Sequence, residues 1–377
     1  MVKLVFSSDS FKGSLSSEKT AELLTLAAKK VFKDCVTVPL IMADGGEGTL
    51  DAVLRVKNGR KICVTVHDPL MKKINASYGV TDDGTAVIEM AQASGLTLID
   101  MDKRDPLATS SFGTGELISM AVKAGYRKLI IGIGGSATND GGMGAMRALG
   151  VRFLDRDKRE LEGTGADLGQ VSIIDMSGLI PELSGTDITV MCDVTNPLCG
   201  PKGASRIFGP QKGADEKSVT ILEAGMNNYA RVIKETFGTD PDMISGAGAA
   251  GGMGAALKLF LGAELRSGIE TLLDLYGFDD IVKGADMIIT GEGRLDGQSS
   301  GGKTVQGVGL RAQKAGVPCI AICGCLGEGF DKIQKYGITD IVTLVNDSIS
   351  QEAAIEKAEE IYYQRAKGVL TDLRDTL

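Results

Sequence analysis

Near its start the chain carries the segment VKLVFSSDSFKGSLSSEKTAELLTLAAKKVFKDCVTVPLIM, residues 2–42. Val2 to Phe6 and Thr37 to Met42 are short apolar runs, as in buried strands. Between them, Ser16–Ser17–Glu18 resembles a helix start, and apolar residues recur at helical spacing from Ala21 to Val31. This order of strand, helix and strand favours a parallel pair joined by a crossover helix. The segment therefore predicts the first part of an open parallel α/β sheet.

The C-terminal third of the chain repeats this alternation. We expect strands at Met287–Thr290, Pro318–Ile322 and Asp340–Val345, each followed by a helical pattern. A long amphipathic helix is predicted from Gln351 to about Leu373. Both ends of the chain thus predict one open parallel sheet, and ligands of such sheets bind at the carboxyl ends of the strands.

The middle of the chain has a different pattern. From about Lys61, short alternating runs broken by turn residues predict antiparallel strands, after which helices and strands alternate again. We therefore predict an α/β protein of two domains. The first is a discontinuous Rossmann-like domain of residues 1–60 plus 255–377, with an open parallel sheet. The second is a large inserted α/β domain of residues 61–254, with a mixed sheet.

Composition narrows the class of protein. Hydrophobic residues make up 43% and charged residues 24%, which is ordinary for a globular chain. Neither a signal peptide nor an apolar run long enough to span a membrane is visible. The net charge of −8 argues against nucleic-acid binding, which needs a basic face. The seven cysteines lie in apolar stretches and are typical of reduced thiols, so we expect a cytoplasmic protein that binds neither nucleic acid nor membranes.

Glycine supplies 51 of the 377 residues, nearly twice the usual share, and it clusters at the ends of apolar runs. Such clusters let the backbone approach a ligand closely. Two of these loops follow the first two predicted strands: Asp9 to Ser14, and Asp44 to Thr49. They offer carboxylates, a cation and hydroxyls. Because adjacent parallel strands end at one edge of a sheet, we expect both loops to face the same ligand.

Three further loops carry residues suited to anions. Gly132 to Gly142 is a candidate phosphate cradle, because glycines expose N–H groups and a helix N-terminus favours anions. In the segment from Asp193 to Gly213, Asp193 ends an apolar run and could accept a proton or hold Mg²⁺, and Arg206 and Lys212 suit a carboxylate or phosphate. Residues 297–304 match GxxxxGK[ST], but Gly291 to Asp296 separate them from the predicted strand, which argues against a true P-loop.

The loop from Gly132 also supports another function. Gly132-x-Gly134-x-x-Ala137 follows a predicted strand, and Asp155 lies about twenty residues further on, as in a dinucleotide-binding fingerprint. Against this, Thr138–Asn139–Asp140 interrupts the turn into the helix, and the only histidine, His67, leaves no evident acid–base group for a dehydrogenase. An NAD-dependent oxidoreductase is therefore one alternative, and a non-enzymatic protein that binds a small ligand is another.

Seven ordered blocks make the chain resemble the family of bacterial type 1 glycerate kinases, the glycerate 2-kinases. The blocks are Asp9–Lys12 with Ser14, Ala43–Thr49, Gly132–Gly142, Cys192–Leu198, Gly203–Ala214, Gly246–Gly254, and Gly291–Arg294 with Asp296, Gln298 and Ser299. The resemblance implies two α/β domains with the active site in the cleft between them. It also implies ATP and Mg²⁺ as cosubstrates, D-glycerate as the acceptor, and phosphoglycerate as the product, with 2-phosphoglycerate favoured over 3-phosphoglycerate. We expect a monomer or a homodimer.

Within that resemblance the loops receive hypothetical roles. Lys12 and Arg206 bind the glycerate carboxylate, and Asp193 orients or deprotonates the attacking hydroxyl; these three are the candidate catalytic residues. The other candidates for binding the acceptor are Asp9, Ser10 and Asn196. Mg²⁺ prefers carboxylates together with phosphate oxygens, and its candidate ligands are Asp44, Glu47 and Asp296. The candidates for binding ATP are Gly134, Gly135, Ser136, Asn139, Lys212, Arg294 and Lys303.

Overall fold

A computed structural model describes residues 1–11, 13–42, 46, 48–296 and 303–376, without the side chains of Lys303 and Asp331. The chain forms two compact units. The first unit comprises Met1–Ala43 and Ile269–Leu377, and the second comprises Asp44–Gly268.

The described residues form strands and helices in alternation. In chain order the strands are β1 (Val2–Ser8), β2 (Cys35–Pro39), β3 (Gly59–His67), β4 (Lys73–Thr81), β5 (Thr85–Glu89), β6 (Lys128–Gly132), β7 (Arg152–Leu154), β8 (Ile173–Asp175), β9 (Asp187–Met191), β10 (Glu264–Arg266), β11 (Met287–Leu295), β12 (Cys319–Leu326) and β13 (Ile338–Thr343). The helices are α1 (Ser17–Val31), α2 (Thr49–Val56), α3 (Ala91–Ser94), α4 (Phe112–Lys123), α5 (Met143–Ala148), α6 (Ala204–Phe208), α7 (Glu216–Phe237), α8 (Met253–Leu261), α9 (Gly268–Tyr276), α10 (Phe278–Ile281), α11 (Lys303–Ala315), α12 (Gln351–Glu356) and α13 (Ala358–Thr376). Over the described residues, none of these helices combines the length and apolar character that a membrane crossing requires.

The first unit is built on a parallel five-stranded sheet in the order β13-β12-β11-β1-β2. In β1 the consecutive residues Leu4, Val5 and Phe6 are fully buried, as expected for a strand that is covered on both faces. Helices α1 and α13 pack against each other, and Tyr362 of α13 meets Phe11 edge-on with ring centroids 5.4 Å apart. All five strands therefore end at one edge of the sheet, and this confirms the predicted α/β class.

The second unit has a six-stranded mixed sheet in the order β10-β9-β6-β5-β4-β3. β3 pairs antiparallel with β4, and β4 pairs antiparallel with β5. The pairs of β5 with β6, β6 with β9, and β9 with β10 are parallel. The longest helix of the unit, α7, is capped by Asp215, whose side chain accepts a hydrogen bond from the Ser218 N–H at 2.7 Å. Its C-terminal cap is Gly238 in the left-handed conformation.

The boundaries between the units fall at residues 43/44 and 268/269, whereas the sequence predicted them at 60/61 and 254/255. Two helices account for the difference. α2 contacts β3, β4 and β5, and α8 contacts β9 and β10, so both pack on the sheet of the second unit. Leu50 and Leu54 of α2 sit so close to Gly79 that a Cβ there would approach them within 2.6 and 2.7 Å.

Candidate functional site

In the second unit, strand register brings three chain segments to one sheet edge. Glu89 at the end of β5 is opposite Gly132 at the end of β6, and Gly132 is opposite Met191 at the end of β9. The loop from Gly132 to Gly142 and the segment beginning at Asp193 therefore both leave the sheet at its carboxyl edge. Open α/β sheets bind ligands at this edge.

The loop after β6 presents backbone donors. Its Gly135 carbonyl accepts from the Leu96 N–H at 2.8 Å, and its Ala137 N–H donates to the Ser94 carbonyl at 2.9 Å. These bonds fix the loop against the end of α3 and the residues that follow it. Within the described part of the chain, no hydrogen-bond acceptor faces the N–H groups of the three consecutive residues Gly134, Gly135 and Ser136. Gly134 is half-buried and Gly135 is exposed with φ of 70°, so the N–H groups have the arrangement of an anion-binding turn.

Lys212 lies beneath this loop. It is 2% exposed, and its Nζ donates to Ser136 Oγ at 2.9 Å and to the Thr138 carbonyl at 2.6 Å. Burial lowers the pKa of Lys212 to about 7, and the negative charge of Asp140 opposes that shift. The structure thus brings together two of the predicted ATP-binding residues, Ser136 and Lys212, with the lysine contacting the loop from inside the protein.

Asp140 anchors the far end of the loop. Its fully buried carboxylate accepts hydrogen bonds from the N–H and hydroxyl of Ser111 and from the N–H groups of Gly142 and Gly144, at 2.7 to 3.2 Å. Burial raises the pKa of Asp140, and these hydrogen bonds act in the opposite direction. Asn139, predicted to bind ATP, is also fully buried, and its Nδ2 donates to Ser205 Oγ at 3.0 Å. Both side chains therefore hold the loop in place.

Asp193 follows β9 and is half-buried at the sheet edge. Its Oδ1 accepts hydrogen bonds from the Ser267 hydroxyl at 3.1 Å and from the Gly268 N–H at 3.0 Å. Ser267 lies between β10 and α9, and Gly268 is the first residue of α9. One oxygen of the carboxylate is therefore fixed by local structure, which orients the group at the end of its strand.

Arg206 and Asn196 lie on the segment after Asp193, at places with different surroundings. The Arg206 side chain is 51% exposed on α6, with its Nε 4.0 Å from Glu223 Oε1. Asn196 donates from Nδ2 to the Lys202 carbonyl at 2.8 Å and so closes its own loop. The side chain of Arg206 is therefore open to an anionic ligand, whereas Asn196 has a structural partner.

In the first unit, the loop after β1 meets the start of α11. The Asp9 N–H donates to the Gly291 carbonyl at 2.8 Å, and the Thr304 hydroxyl donates to Asp9 Oδ2 at 3.2 Å. Ser10 donates its N–H to Asp9 Oδ1 at 2.6 Å. The contacts follow from the pairing of β1 with β11, which sets Ser8 opposite Gly291. Two predicted site segments thus come together at one sheet edge.

Strand β11 is longer than the sequence predicted. It runs from Met287 to Leu295, because its ladder with β12 continues through Arg294, which pairs with Cys325. The prediction that six residues separate the strand from residues 297–304 is therefore wrong, since only Asp296 intervenes. A strand, GxxxxGKT and a helix starting at Lys303 follow in the order of a P-loop.

The structure also groups Arg294 with Asp296. A Cβ added to Gly327 would lie 2.7 Å from Asp296 Cβ and 3.0 Å from Arg294 Nε, so both side chains border this glycine. Arg294 is exposed and Asp296 is half-buried. The predicted site residues Lys12, Asp44 and Glu47 lie outside the described residues, as does the side chain of Lys303. Among the residues that are described, no three acidic, histidine or cysteine side chains form a metal-binding group.

Sequence reasoning missed Glu89. This glutamate is 1% exposed at the end of β5, and its Oε2 accepts a hydrogen bond from the Leu50 N–H at 3.1 Å, in the first turn of α2. A buried carboxylate at a helix N-terminus stabilises that terminus. The signal in the sequence was an acidic residue that ends the apolar run before Met90.

The dinucleotide interpretation of the loop after β6 is not supported. Asp155 follows β7, which pairs antiparallel with β8 in a separate two-stranded sheet rather than beside β6. The helix α5 begins at Met143, well after the Gly132–Ala137 turn. A Rossmann fingerprint needs a turn that enters the helix directly and a neighbouring parallel strand that ends in the acidic residue.

In the sequence of each unit, a glycine-rich stretch of the kind that binds phosphates follows a parallel strand: Gly132–Gly142 starts at the last residue of β6, and residues 297–304 come after β11 and Asp296. Acidic side chains, Asp9 and Asp296 in one unit and Asp193 in the other, accompany these segments. These features define the class of the protein as an α/β phosphotransferase.

Comparison with known proteins narrows that class. A model of the glycerate kinase family matches residues 4–374. The chain is 43% identical to a glycerate 2-kinase of Escherichia coli and 43% identical to a glycerate kinase of Bacillus subtilis, in both cases over 99% of this chain and 98% of the other. A crystal structure assigned as glycerate kinase 2 of Salmonella typhimurium superimposes with a TM-score of 0.86 and 41% identity, covering 100% of this chain and 99% of that one. The chain belongs to the glycerate kinase family, and the resemblance of its seven blocks is confirmed.

Proposed function

We propose that this protein transfers the γ-phosphoryl group of ATP to D-glycerate and forms 2-phosphoglycerate in preference to 3-phosphoglycerate. The observation that carries the proposal is the run of three N–H groups at Gly134–Ser136 without acceptors among the described residues. Such donors neutralise phosphate oxygens without covalent chemistry, which is what phosphoryl transfer requires. The E. coli relative, 43% identical, is a glycerate 2-kinase, and this supports the choice of the 2-hydroxyl.

The ATP phosphates are assigned to the loop after β6. Gly134, Gly135 and Ser136 supply N–H donors, and Lys212 and Asn139 hold the loop from beneath. Lys303 and Arg294 are assigned to the phosphates as further cations. Lys212 therefore acts on ATP through Ser136 and Thr138, since its ammonium is buried against them.

The acceptor is assigned to acidic and basic side chains. Asp193 orients or deprotonates the attacking hydroxyl, because its carboxylate is fixed by one oxygen at a strand end. Arg206, which is 51% exposed, and Lys12 bind the glycerate carboxylate, for which a planar guanidinium is well suited. Asp9 and Ser10, at the end of β1, and Asn196 complete the proposed acceptor site.

Mg²⁺ would supply charge neutralisation at the phosphates. Among the described candidate ligands for Mg²⁺, the structure offers one half-buried carboxylate, Asp296, which lies near the exposed Arg294. Mg²⁺ is commonly held by one or two carboxylates together with substrate phosphates and waters, so a three-acid cluster is not needed. Asp296 would hold the ion, and Asp44 and Glu47 remain candidate ligands.

Phosphorus NMR of the reaction tests the proposed activity and its regiochemistry together. The full chain is incubated with ATP, Mg²⁺ and D-glycerate, and the product resonance is compared with authentic 2- and 3-phosphoglycerate. We expect a 2-phosphoglycerate signal that requires D-glycerate. A 3-phosphoglycerate signal would reject the choice of hydroxyl, and consumption of ATP without any phosphoglycerate would reject the acceptor.

Gly135→Ala is expected to raise the KM for ATP by about fivefold to tenfold. Gly135 has φ of 70°, a region that costs a residue with a Cβ about 1–2 kcal/mol, and the backbone would relax away from the donor arrangement. Steady-state kinetics with varied ATP measures the effect. The matched control is Gly125→Ala, at φ of 97° in an open turn of the same unit. An equal KM in both variants would remove the loop from the ATP site.

Asp296→Asn is expected to raise the Mg²⁺ concentration required for half-maximal activity by about tenfold. A carboxylate binds Mg²⁺ as an anionic ligand, and the amide retains its shape but loses the charge. Activity is measured over a Mg²⁺ titration at saturating ATP. Asp280→Asn, at an exposed pair with Lys283 in the same unit, serves as the control. An unchanged requirement in Asp296→Asn would contradict the assignment of Asp296 to the metal.

A further inference from the structure

The first unit contains a pocket that the proposed function does not use. Its volume is about 570 Å³, and it lies between the loop that follows β13 and the helices α12 and α13. The volume is within the range of small-molecule sites. None of the candidate residues for ATP, acceptor or metal lines it.

Two cations line this pocket. Lys357, just before α13, and Arg365, within α13, are eight residues apart, with Ile361 midway, so helical geometry sets all three on one face. In the described part of the chain neither cation has a carboxylate partner within ion-pair distance. The Arg365 Nε is buried and has no hydrogen-bond acceptor among the described residues. A buried guanidinium N–H without an acceptor is costly, and a ligand oxygen would satisfy it.

The rest of the lining combines apolar and polar groups. Ile349 and Ile361 supply apolar surface. Asn346 is held by the turn that it forms, since its Oδ1 accepts from the Ser348 N–H at 3.0 Å and its backbone pairs with Ile349. The one acidic side chain of the lining is Glu360. Two cations and one anion give the lining a formal charge of +1.

We propose that this pocket binds a small organic carboxylate with an apolar body. The guanidinium of Arg365 matches a carboxylate in two-point geometry, and Lys357 adds a second positive charge. The isoleucines contact the apolar body. Glu360 disfavours a dianion, so a carboxylate is preferred to a phosphate monoester of the same shape.

Fluorine NMR of the full chain tests the pocket with para-fluorobenzoate as the probe. Its dissociation constant is compared with those of para-fluorobenzyl alcohol, a neutral analogue, and para-fluorophenyl phosphate, a dianion. We expect para-fluorobenzoate to bind most tightly of the three. Arg365→Gln should weaken it by about tenfold, and Lys357→Gln by about threefold, because each removes a charge-assisted contact. Glu360→Gln should tighten it by about twofold to threefold.

The matched control is Arg374→Gln, which removes an exposed arginine of the same helix outside the pocket and should leave the affinity unchanged. Circular dichroism reports whether each variant is folded. If Arg365→Gln is unfolded, the test depends on Lys357→Gln, because Lys357 is exposed and its substitution should not disturb the fold. Equal affinity for the alcohol, tighter binding of the phosphate, or an unchanged affinity in Lys357→Gln would overturn the proposal. Competitive displacement of the probe by ATP would contradict the claim that this pocket is separate from the catalytic site.

Discussion

Asp193→Asn is expected to lower the kcat for D-glycerate phosphorylation by about a thousandfold with the fold retained. Oδ1 of this side chain accepts hydrogen bonds from the Ser267 hydroxyl and the Gly268 N–H. An asparagine keeps an Oδ1 acceptor, so the local structure persists, but it cannot take a proton. A general base contributes about 10²–10⁴ to a rate, and this sets the size of the loss.

The measurement is steady-state kinetics of ADP formation at saturating ATP and D-glycerate, together with thermal unfolding of each variant. Asp187→Asn is the matched control, because Asp187 is an exposed aspartate at the opposite end of the same strand. It should retain wild-type kcat. Asp193→Ala should lose the same activity and also some stability, because it removes the acceptor of two hydrogen bonds. A kcat within threefold of wild type in Asp193→Asn would remove Asp193 from the role of base.

The parallel sheet of the first unit could be predicted from the sequence because its signal is local. β1 is buried on both faces, and a strand of that kind is a continuous apolar run such as Leu4–Phe6. The sequence also placed the Asp9 loop and the Gly291 segment each after a predicted strand of one sheet, but it did not predict that these two segments are neighbours. Their contact at 2.8 Å follows directly from the pairing of β1 with β11.

The unit boundaries and the end of β11 could not be predicted in the same way. Periodicity shows that Leu50 and Leu54 form an apolar face of α2, but it does not say which sheet that face meets. Arg294 lies in a stretch with no apolar run, and it belongs to β11 because β12 continues beside it. Both features depend on packing between segments far apart in the chain.

The burial of Lys212 also could not be predicted from the neighbouring sequence. A lysine between Gly209 and Gly213 is typical of an exposed loop, and the sequence predicted a cation facing phosphates. It is buried because its acceptors, Ser136 and the Thr138 carbonyl, lie more than seventy residues earlier. The lysine therefore contacts the loop from inside the protein, and its role towards ATP stays a prediction.

Lys212→Met is expected to lower kcat/KM for ATP by about a hundredfold while the protein remains folded. Methionine fills a similar volume without a donor, so Ser136 Oγ and the Thr138 carbonyl lose the ammonium that fixes them. Each unsatisfied buried group costs about 1–3 kcal/mol, which the loop avoids by leaving the geometry that presents the N–H groups. A loss of about 2.8 kcal/mol of transition-state stabilisation corresponds to a hundredfold.

The same substitution should change how stability depends on pH. Burial lowers the pKa of Lys212 from 10.5 to about 7, so between these values the unfolded chain holds a proton that the folded chain has released. Because of this lysine, the free energy of unfolding increases as pH rises from about 7 towards 10.5, by up to about 1.4 kcal/mol per pH unit. Below pH 7 both states are protonated and the contribution is constant. Lys212→Met should lack this rise.

Urea unfolding at pH 7 and pH 9 gives the change in the free energy of unfolding between these pH values for each protein. We expect this change to be about 2 kcal/mol more positive in wild type than in Lys212→Met. Asp140 is present in both proteins, so its own titration largely cancels in the comparison. Lys258→Met, at an exposed lysine of α8, is the matched control and should keep the wild-type rise, because only a buried ammonium is desolvated on folding. A parallel pH dependence in wild type and Lys212→Met would show that folding does not lower the pKa of Lys212, and it would contradict the predicted rise in stability.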